Sequence, residues 1–248
     1  MTREDRESRI LQEVIEKRTV SVNDLAKMFN VTMETIRKDI ASLQEKNIVA
    51  KNYGQVSLAD PYLEDEFLKK ETQDLAAKTK IAQTALGLIP NNAVVYLDTS
   101  TTVLQLARLL SLRSNLTIVT NSLRINEVLS NNQNDILMTG GKYRDRSKSY
   151  YGDWTIRAID AINIDIAFLG GDGLSADGVT IGSYGELTVK KEVIKRSKKT
   201  ALMVSTSKFM KMGKFTYTNF SDVDLLITER ELSNDEKLRF PKDFLLMN

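Results

Sequence analysis

The amino-acid sequence predicts an α/β chain: a small N-terminal winged helix–turn–helix module, then an open, mostly parallel, Rossmann-like α/β domain. Three observations lead there. Residues 1–58 carry three short helical patterns and a polar hairpin. From Ala93 onward, short apolar strands alternate with amphipathic helices. Between them lies Asp60-Pro61-Tyr62-Leu63-Glu64-Asp65-Glu66, whose proline and acidic run suit a connection rather than a core element. The expected organisation is a helix–turn–helix domain over 1–58, a linker over 59–74 and an α/β domain over 75–248.

Ile10, Leu11, Val14 and Ile15 fall at helical spacing and predict an amphipathic helix ending near Arg18. Ser21, with Asp24 three residues on, approximates a capping box for a second helix that turns Leu25, Ala26 and Phe29 inward. After an Asn30-Val31 turn, Thr32 is a good N-cap, and the third helix sets Ile36, Ile40 and Leu43 on one face. Ile48-Val49-Ala50 and Gln55-Val56-Ser57-Leu58, joined by Lys51-Asn52-Tyr53-Gly54, complete the module as a two-stranded wing. In the second half the expected strands are residues 93–97, 117–120, 135–138, 164–169, 201–204 and 223–228, with helices at 103–110, 122–130, 155–161 and 186–196. That alternation implies parallel pairing through right-handed crossovers. Ligands on such sheets bind beyond the carboxyl ends of the strands.

The composition, 42% hydrophobic and 27% charged over 248 residues, is that of a soluble globular chain. There is no cysteine and no histidine. Disulfides, thiol nucleophiles, zinc sites of the Cys/His type and every triad that needs histidine are thereby excluded. Acid–base work would fall to carboxylates, lysines or tyrosines. The net charge is only +2, so any nucleic-acid binding must come from local clustering. The charged start Met1-Thr2-Arg3-Glu4-Asp5-Arg6 is no secretory signal, and no apolar run approaches a membrane span. A cytoplasmic protein with no membrane partner is expected.

With Ile36, Ile40 and Leu43 turned inward, the third helix presents Thr32, Thr35, Arg37 and Lys38 near its exposed N-terminal half, the part that a recognition helix sets against base edges. Arg37 suits a bidentate contact to guanine and Lys38 a phosphate or base contact; Lys51 and Asn52 on the wing reach toward backbone or minor groove. Glu34 and Asp39 flank these residues, and any short helix has a polar outer face. In the second half, the strand ending at Leu97 runs into Asp98-Thr99-Ser100-Thr101-Thr102 and then a helix. Hydroxyls and backbone N–H groups at a helix start suit a phosphate, although Ser and Thr also serve there simply as caps. Thr120-Asn121-Ser122, Gly140–Arg144, Gly170–Gly173 and Ser205–Lys208 follow the next strands as further βα loops on the same edge. Glu186 and Lys190 share a helix face, which fits either a site or a solvated ion pair.

These segments resemble the DeoR family of bacterial transcriptional regulators. Val31-Thr32-Met33-Glu34-Thr35-Ile36-Arg37-Lys38-Asp39-Ile40 is similar to the family's recognition-helix signature Val-Ser-x-x-Thr-Ile-Arg-Arg-Asp-Leu. The wing has Tyr53-Gly54-Gln55-Val56 where the family has His-Gly-Gly-Ala. Asp98–Thr102, Thr120-Asn121, Gly140–Arg144, Gly170–Gly173, Glu186/Lys190 and Ser205–Phe209 resemble, in order, the motifs of its sensor domain, which is related to ribose-5-phosphate isomerase and binds phosphorylated sugars. Ser100 stands where Gly is usual and Ser205 where Asp is usual.

The resemblance implies an effector-controlled regulator of a carbohydrate operon, most often a repressor, with no cofactor and no catalytic residues. DNA would meet Thr32, Thr35, Arg37, Lys38, Lys51 and Asn52. A phosphorylated sugar would meet Asp98, Thr99, Ser100, Thr101, Thr102, Asn121, Gly141, Arg144, Asp172, Gly173, Glu186, Lys190 and Lys208. Partners would be double-stranded operator DNA, the sugar phosphate and further copies of the chain, as a homodimer or homotetramer. The alternative is a sugar-phosphate isomerase- or deaminase-like enzyme with an accessory DNA-binding domain, using Asp98, Asp172, Glu186 and Lys190 as acid–base groups.

If Arg37 reads a base, Arg37→Ala costs about 1–3 kcal/mol in specific DNA binding. Titration of labelled operator at fixed salt measures this; unchanged affinity and base preference would remove Arg37 from the readout.

Overall fold

A computed structural model describes residues 2–46, 48–52, 54–58, 70–175 and 178–248. The chain divides into two compact units, residues 1–66 and 67–248.

In the first unit, helix α1 (Arg3–Lys17) opens on a capping box from Thr2 to Asp5. A short strand β1 (Thr19–Ser21) leads into α2 (Val22–Phe29), where the Ser21 hydroxyl accepts from the Asp24 N–H at 3.0 Å. Asn30 ends α2 in the left-handed region, φ 51°, a conformation that a short amide side chain tolerates. Thr32 caps α3 (Met33–Glu45), accepting from the Thr35 N–H at 3.2 Å. The strands β2 (Val49–Asn52) and β3 (Gln55–Leu58) pair antiparallel. The wing differs from the two-stranded expectation: β1 joins as a third strand, in the order β1-β3-β2. Three residues between two helices are too few to show an alternating pattern, so only the pairing with β3 reveals β1.

Ile10, Val14, Leu25, Phe29, Ile36, Ile40, Leu43, Val49 and Val56 form this unit's core. A charge network around the buried carboxylates Asp39 and Glu7 fixes α3 on α1. Arg6 grips Asp39 with two nitrogens, one at 2.9 Å from Oδ1 and the other in direct contact with Oδ2. Beside it, Glu7 is held below its usual carboxylate range by Lys46, then by Ser42 and Arg3, against the opposing effect of burial. Arg3 also donates to the Lys38 carbonyl at 3.3 Å.

In the second unit, residues 70–72 are helical, and of the expected linker, residues 59–69 lie outside the described residues. Helix α4 (Leu75–Leu86) precedes β4 (Val94–Leu97), α5 (Thr101–Leu110), β5 (Ser114–Thr120), α6 (Leu123–Leu129) and β6 (Gln133–Met138). A hairpin follows, β7 (Lys142–Arg144) with β8 (Ser149–Tyr151), then α7 (Asp153–Asp160) and β9 (Ile166–Leu169). A second hairpin, β10 (Gly173–Ser175) with β11 (Gly178–Ile181), leads to α8 (Tyr184–Arg196) and β12 (Thr200–Met203). The chain closes with β13 (Phe215–Thr218), β14 (Leu225–Ile227), α9 (Asn234–Lys237) and β15 (Leu245–Met247).

Seven strands form one all-parallel sheet in the order β15-β14-β12-β9-β4-β5-β6. Alternate residues point to opposite faces. Val95, Leu97, Ile166, Phe168, Ala201 and Met203 pack with α4, α5 and α6 on one face. Tyr96, Ala167, Leu169, Leu202 and Leu226 pack on the other with Ile159 of α7, Val189 and Val193 of α8, and the antiparallel sheet β10-β11-β13. Burial on both faces explains the near-continuous apolar strands. From β4 the chain builds outward to β5 and β6, then crosses to β9 and builds the other way. The sheet therefore has its topological switch point between β4 and β9, where a crevice opens at the strand carboxyl ends.

Asp39 is almost wholly buried with Arg6. Asp39→Ala leaves an uncompensated guanidinium and should lower the stability of the first unit by about 3 kcal/mol. Pairing Arg6→Met with Asp39→Leu should recover most of that loss, as read by urea unfolding followed by far-ultraviolet circular dichroism.

Candidate functional site

Asp98 follows β4 and Gly170 follows β9, one on each side of the switch point. The Asp98 carboxylate accepts from the Gly170 N–H at 2.8 Å and is in direct contact with the Lys190 ammonium. Lys190, only 3% exposed, also donates to the Gly170 carbonyl at 3.1 Å. The Tyr217 hydroxyl donates to the same carbonyl at 3.0 Å, and the ammonium lies 5.0 Å from the Tyr217 ring centre. A Cβ at position 170 would come within 2.4 Å of Ser100, so only glycine lets β9 approach the start of α5 this closely.

Lys190 and Glu186 do not pair with each other. Lys190 turns inward to Asp98, whereas Glu186 faces Arg144, at 3.3 Å, which also contacts the Ser183 hydroxyl. Burial raises the Glu186 pKa above the usual carboxylate value, with Asp98 and Asp172 adding to the rise against Lys190 and Arg144. Asp172 accepts from the Gly182 N–H at 2.8 Å and from Lys70 at 3.2 Å. Burial acts to raise its pKa, but Lys70, the Gly182 N–H and Lys208 together bring it below the ordinary value.

Ser100 caps α5, accepting from the Val103 N–H at 3.1 Å, and the Thr101 hydroxyl donates to the Lys70 carbonyl at 3.4 Å. Lysines gather beside this helix start. Lys78 of α4 is buried and donates to the Gln73 carbonyl at 2.7 Å and to the Lys70 carbonyl. Burial, then the charge of Lys208, pushes its pKa down to about 8. Lys208, on the turn Thr206–Lys208 after β12, is likewise lowered, first by burial and also by Lys70 and Lys211 against the pull of Asp172. Among the described residues Lys208 makes no ion pair. The arrangement combines a helix N-terminus, hydroxyls and mutually repelling ammonium groups on one side with the acceptors Asp172 and Glu186 on the other. Such an arrangement suits a ligand that carries both an anion and hydroxyls.

Several sequence-predicted residues hold the site together instead of lining it. Asn121 accepts from the Tyr96 hydroxyl at 2.8 Å and donates to the Tyr150 carbonyl at 2.7 Å. Thr99 donates to Asp98, and Thr99 and Thr102 are both buried. Gly141 has φ 124°, and a Cβ there would strike the Thr155 hydroxyl at 2.2 Å. Gly173 lies against the Lys211 backbone, 2.0 Å from where a Cβ would stand. Both glycines are needed for chain packing. The Gly140 and Gly170 loops open hairpins rather than helices, so they are not βα loops. Trp154, the one tryptophan of the sequence, is 79% exposed at the start of α7. Lys70, Lys78, Ser183 and Tyr217 were not foreseen. For Lys78 a signal existed, since it lies three and four residues before Ile81 and Ala82 and so shares their buried face.

In the first unit, Thr32, Arg37 and Lys38 are exposed and Thr35 is partly so. The Thr32 and Thr35 hydroxyls bond each other at 2.9 Å, and Arg37 lies 3.8 Å from Glu34. Lys51 is half-buried on β2; the Asn52 backbone ends that strand, and its side chain lies outside the described parts. Among the described residues no cluster of carboxylates could hold a metal ion, and no helix is long and apolar enough to cross a membrane. A separate hollow of about 480 Å³, lined by Asn91 and Asn92 ahead of β4 and by Leu112–Asn115 at the start of β5, lies at the opposite, amino end of the strands. Its Arg113 is engaged by the Ile89 carbonyl and Asn91.

The model of the DeoR-like helix-turn-helix domain matches residues 6–61, and that of the DeoR C terminal sensor domain matches residues 73–230. The chain is 31% identical over 219 residues to the HTH-type transcriptional regulator IolR of Bacillus subtilis, covering 88% of this chain and 87% of that one. It is 29% identical over 231 residues to the glycerol-3-phosphate regulon repressor of Escherichia coli, covering 92% of each. Among solved structures, ribose 5-phosphate isomerase A from Methanocaldococcus jannaschii is similar over 56% of each chain, with 18% identity and a TM-score of 0.42.

A lysine whose folded pKa lies below its unfolded value of 10.5 binds fewer protons in the native state across that window, so stability rises with pH there. Wild type should gain about 2–3 kcal/mol over Lys78→Met between about pH 7.5 and pH 10. Urea unfolding at each pH measures it; parallel profiles would place this ammonium in solvent.

Proposed function

Because the chain belongs to the DeoR family of transcriptional regulators, we propose that it represses a carbohydrate-metabolism operon and that a phosphorylated sugar bound at the switch point of the second unit changes its affinity for operator DNA. The order of the two domains supports the regulatory reading, as do the names of relatives that span nearly the whole chain, a glycerol-3-phosphate regulon repressor among them. The observation that carries the ligand class is the gathering of Lys70, Lys78 and Lys208 beside the hydroxyl-lined start of α5.

In this reading the phosphate sits on the Ser100–Thr101 end of α5 and draws its compensating charge from Lys208. Asp172 and Glu186 accept from sugar hydroxyls. Lys190 neutralises Asp98 and sets its orientation; it does not serve the phosphate, because its ammonium is buried and already engaged. Thr32, Thr35, Arg37 and Lys38 meet the DNA. Two copies of the chain on a pseudo-palindromic site supply the contact area that one small module lacks. The ligand must bind one arrangement of the protein better than another to alter DNA affinity.

The test is binding to labelled DNA from upstream of its own gene, at fixed salt because phosphate contacts are steeply salt-dependent, with and without a pool of phosphorylated sugars. The pool should shift operator affinity of the wild type. Thr101→Val combined with Lys208→Ala should bind the operator normally and lose the shift. An operator affinity indifferent to every member of the pool would overturn the effector reading.

A further inference from the structure

The exposed face of α3 carries one large apolar side chain. Met33, the first residue of the helix, is 46% exposed and stands outside the core that takes Ile36, Ile40 and Leu43. At 100° per residue, Met33, Arg37 and Ala41 follow one another along the same side of the helix at i, i+4 and i+8. All three are exposed, as are Glu34 and Lys38 next to them. The opposite flank is taken by α1 through Asp39 and the Lys38 carbonyl, so the Met33 side is the one left to face a groove. A lone exposed methionine is unremarkable on an ordinary surface. This one lies one turn from the arginine that suits guanine, on the part of the helix that a recognition helix sets against base edges.

The major groove offers one apolar feature to such a side chain, the C5-methyl group of thymine. We propose that Met33 is a specificity-determining residue that reads a thymine methyl beside the guanine read by Arg37. Met33 and Arg37 are separated by about 6 Å along the helix axis, and base pairs rise by about 3.4 Å. The thymine therefore lies within one or two base pairs of that guanine. Met33's unbranched, polarizable chain can lie flat on a methyl group without a fixed partner. Glu34, 3.8 Å from Arg37, leaves the arginine tethered on the same side. The inference rests on the operator-binding reading and adds a base to it.

The experiment selects binding sites for the full-length protein from random duplex DNA, then replaces each thymine of the selected half-site in turn by deoxyuridine, which removes only the methyl. One thymine within two base pairs of the guanine whose preference Arg37→Ala relaxes should respond. There, deoxyuridine should weaken wild-type binding about fourfold, the worth of one methyl-sized group taken out of water. Met33→Ala should bind the thymine and deoxyuridine duplexes alike, whereas Met33→Leu should keep most of the difference. Equal nonspecific affinity of all three proteins for unrelated DNA controls for folding. A selected site whose affinity ignores the methyl, or that loses as much with Met33→Ala as with wild type, would overturn the Met33 assignment and leave operator binding standing. A selection that enriches no sequence would overturn both.

Discussion

The buried pair of Lys190 and Asp98 is the constraint around which the second unit's functional edge is arranged. Removing two charges from water is costly unless each is paired and its remaining hydrogen-bonding capacity is met. Here the Gly170 N–H supplies the carboxylate's second donor, and the Gly170 carbonyl supplies an acceptor for the ammonium and for Tyr217. Meeting those demands requires the ends of β4 and β9 to stay side by side. It also requires α8 to lie across them and β13 to bring Tyr217 underneath. The two strand ends that flank the switch point are thus tied together through Asp98, Lys190 and Gly170.

That pair also divides the cations of the site by role. Lys190 is consumed in neutralising Asp98, and its helix neighbour Glu186, one turn away, is left to Arg144, which also contacts Ser183. On the other side of the crevice, Lys70, Lys78 and Lys208 crowd one another near a helix start, with Asp172 offsetting only part of their charge. Burial, and then the charge of neighbouring ammonium groups, keeps Lys78 and Lys208 below the usual ammonium range. The first unit follows the opposite rule. Its buried carboxylates, Asp39 with Arg6 and Glu7 with the exposed Lys46, are matched internally, so they orient α3 and leave Met33, Arg37 and Lys38 facing outward.

Much of this was legible in the sequence because it depends on period and on local caps. Ile36, Ile40 and Leu43 announce one face of α3; Ser21, Thr32 and Ser100 announce helix starts; the apolar runs announce strands buried on both faces. What escaped were elements whose pairing is not local. The three-residue strand β1 has no pattern of its own, and β7, β8, β10, β11 and β13 are short strands that only their partners define. Glycines read as ligand-facing, Gly141 and Gly173, serve the packing of their own chain. The spacing of Glu186 and Lys190 suggested a solvated pair, yet each finds its partner tens of residues away.

By itself, then, the sequence determined the α/β class, the helix–turn–helix ahead of it, and the outward placement of Arg37 and Lys38. All of these follow from short-range periodicity and capping. Tertiary structure alone decided which charges are committed and which confront the crevice. Spacing placed Lys78 on a buried helix face and Lys190 on the face of Glu186, but it named the partner of neither. Their roles come from the groups that the parallel sheet brings beside them from distant parts of the chain, and from the loss of water around them.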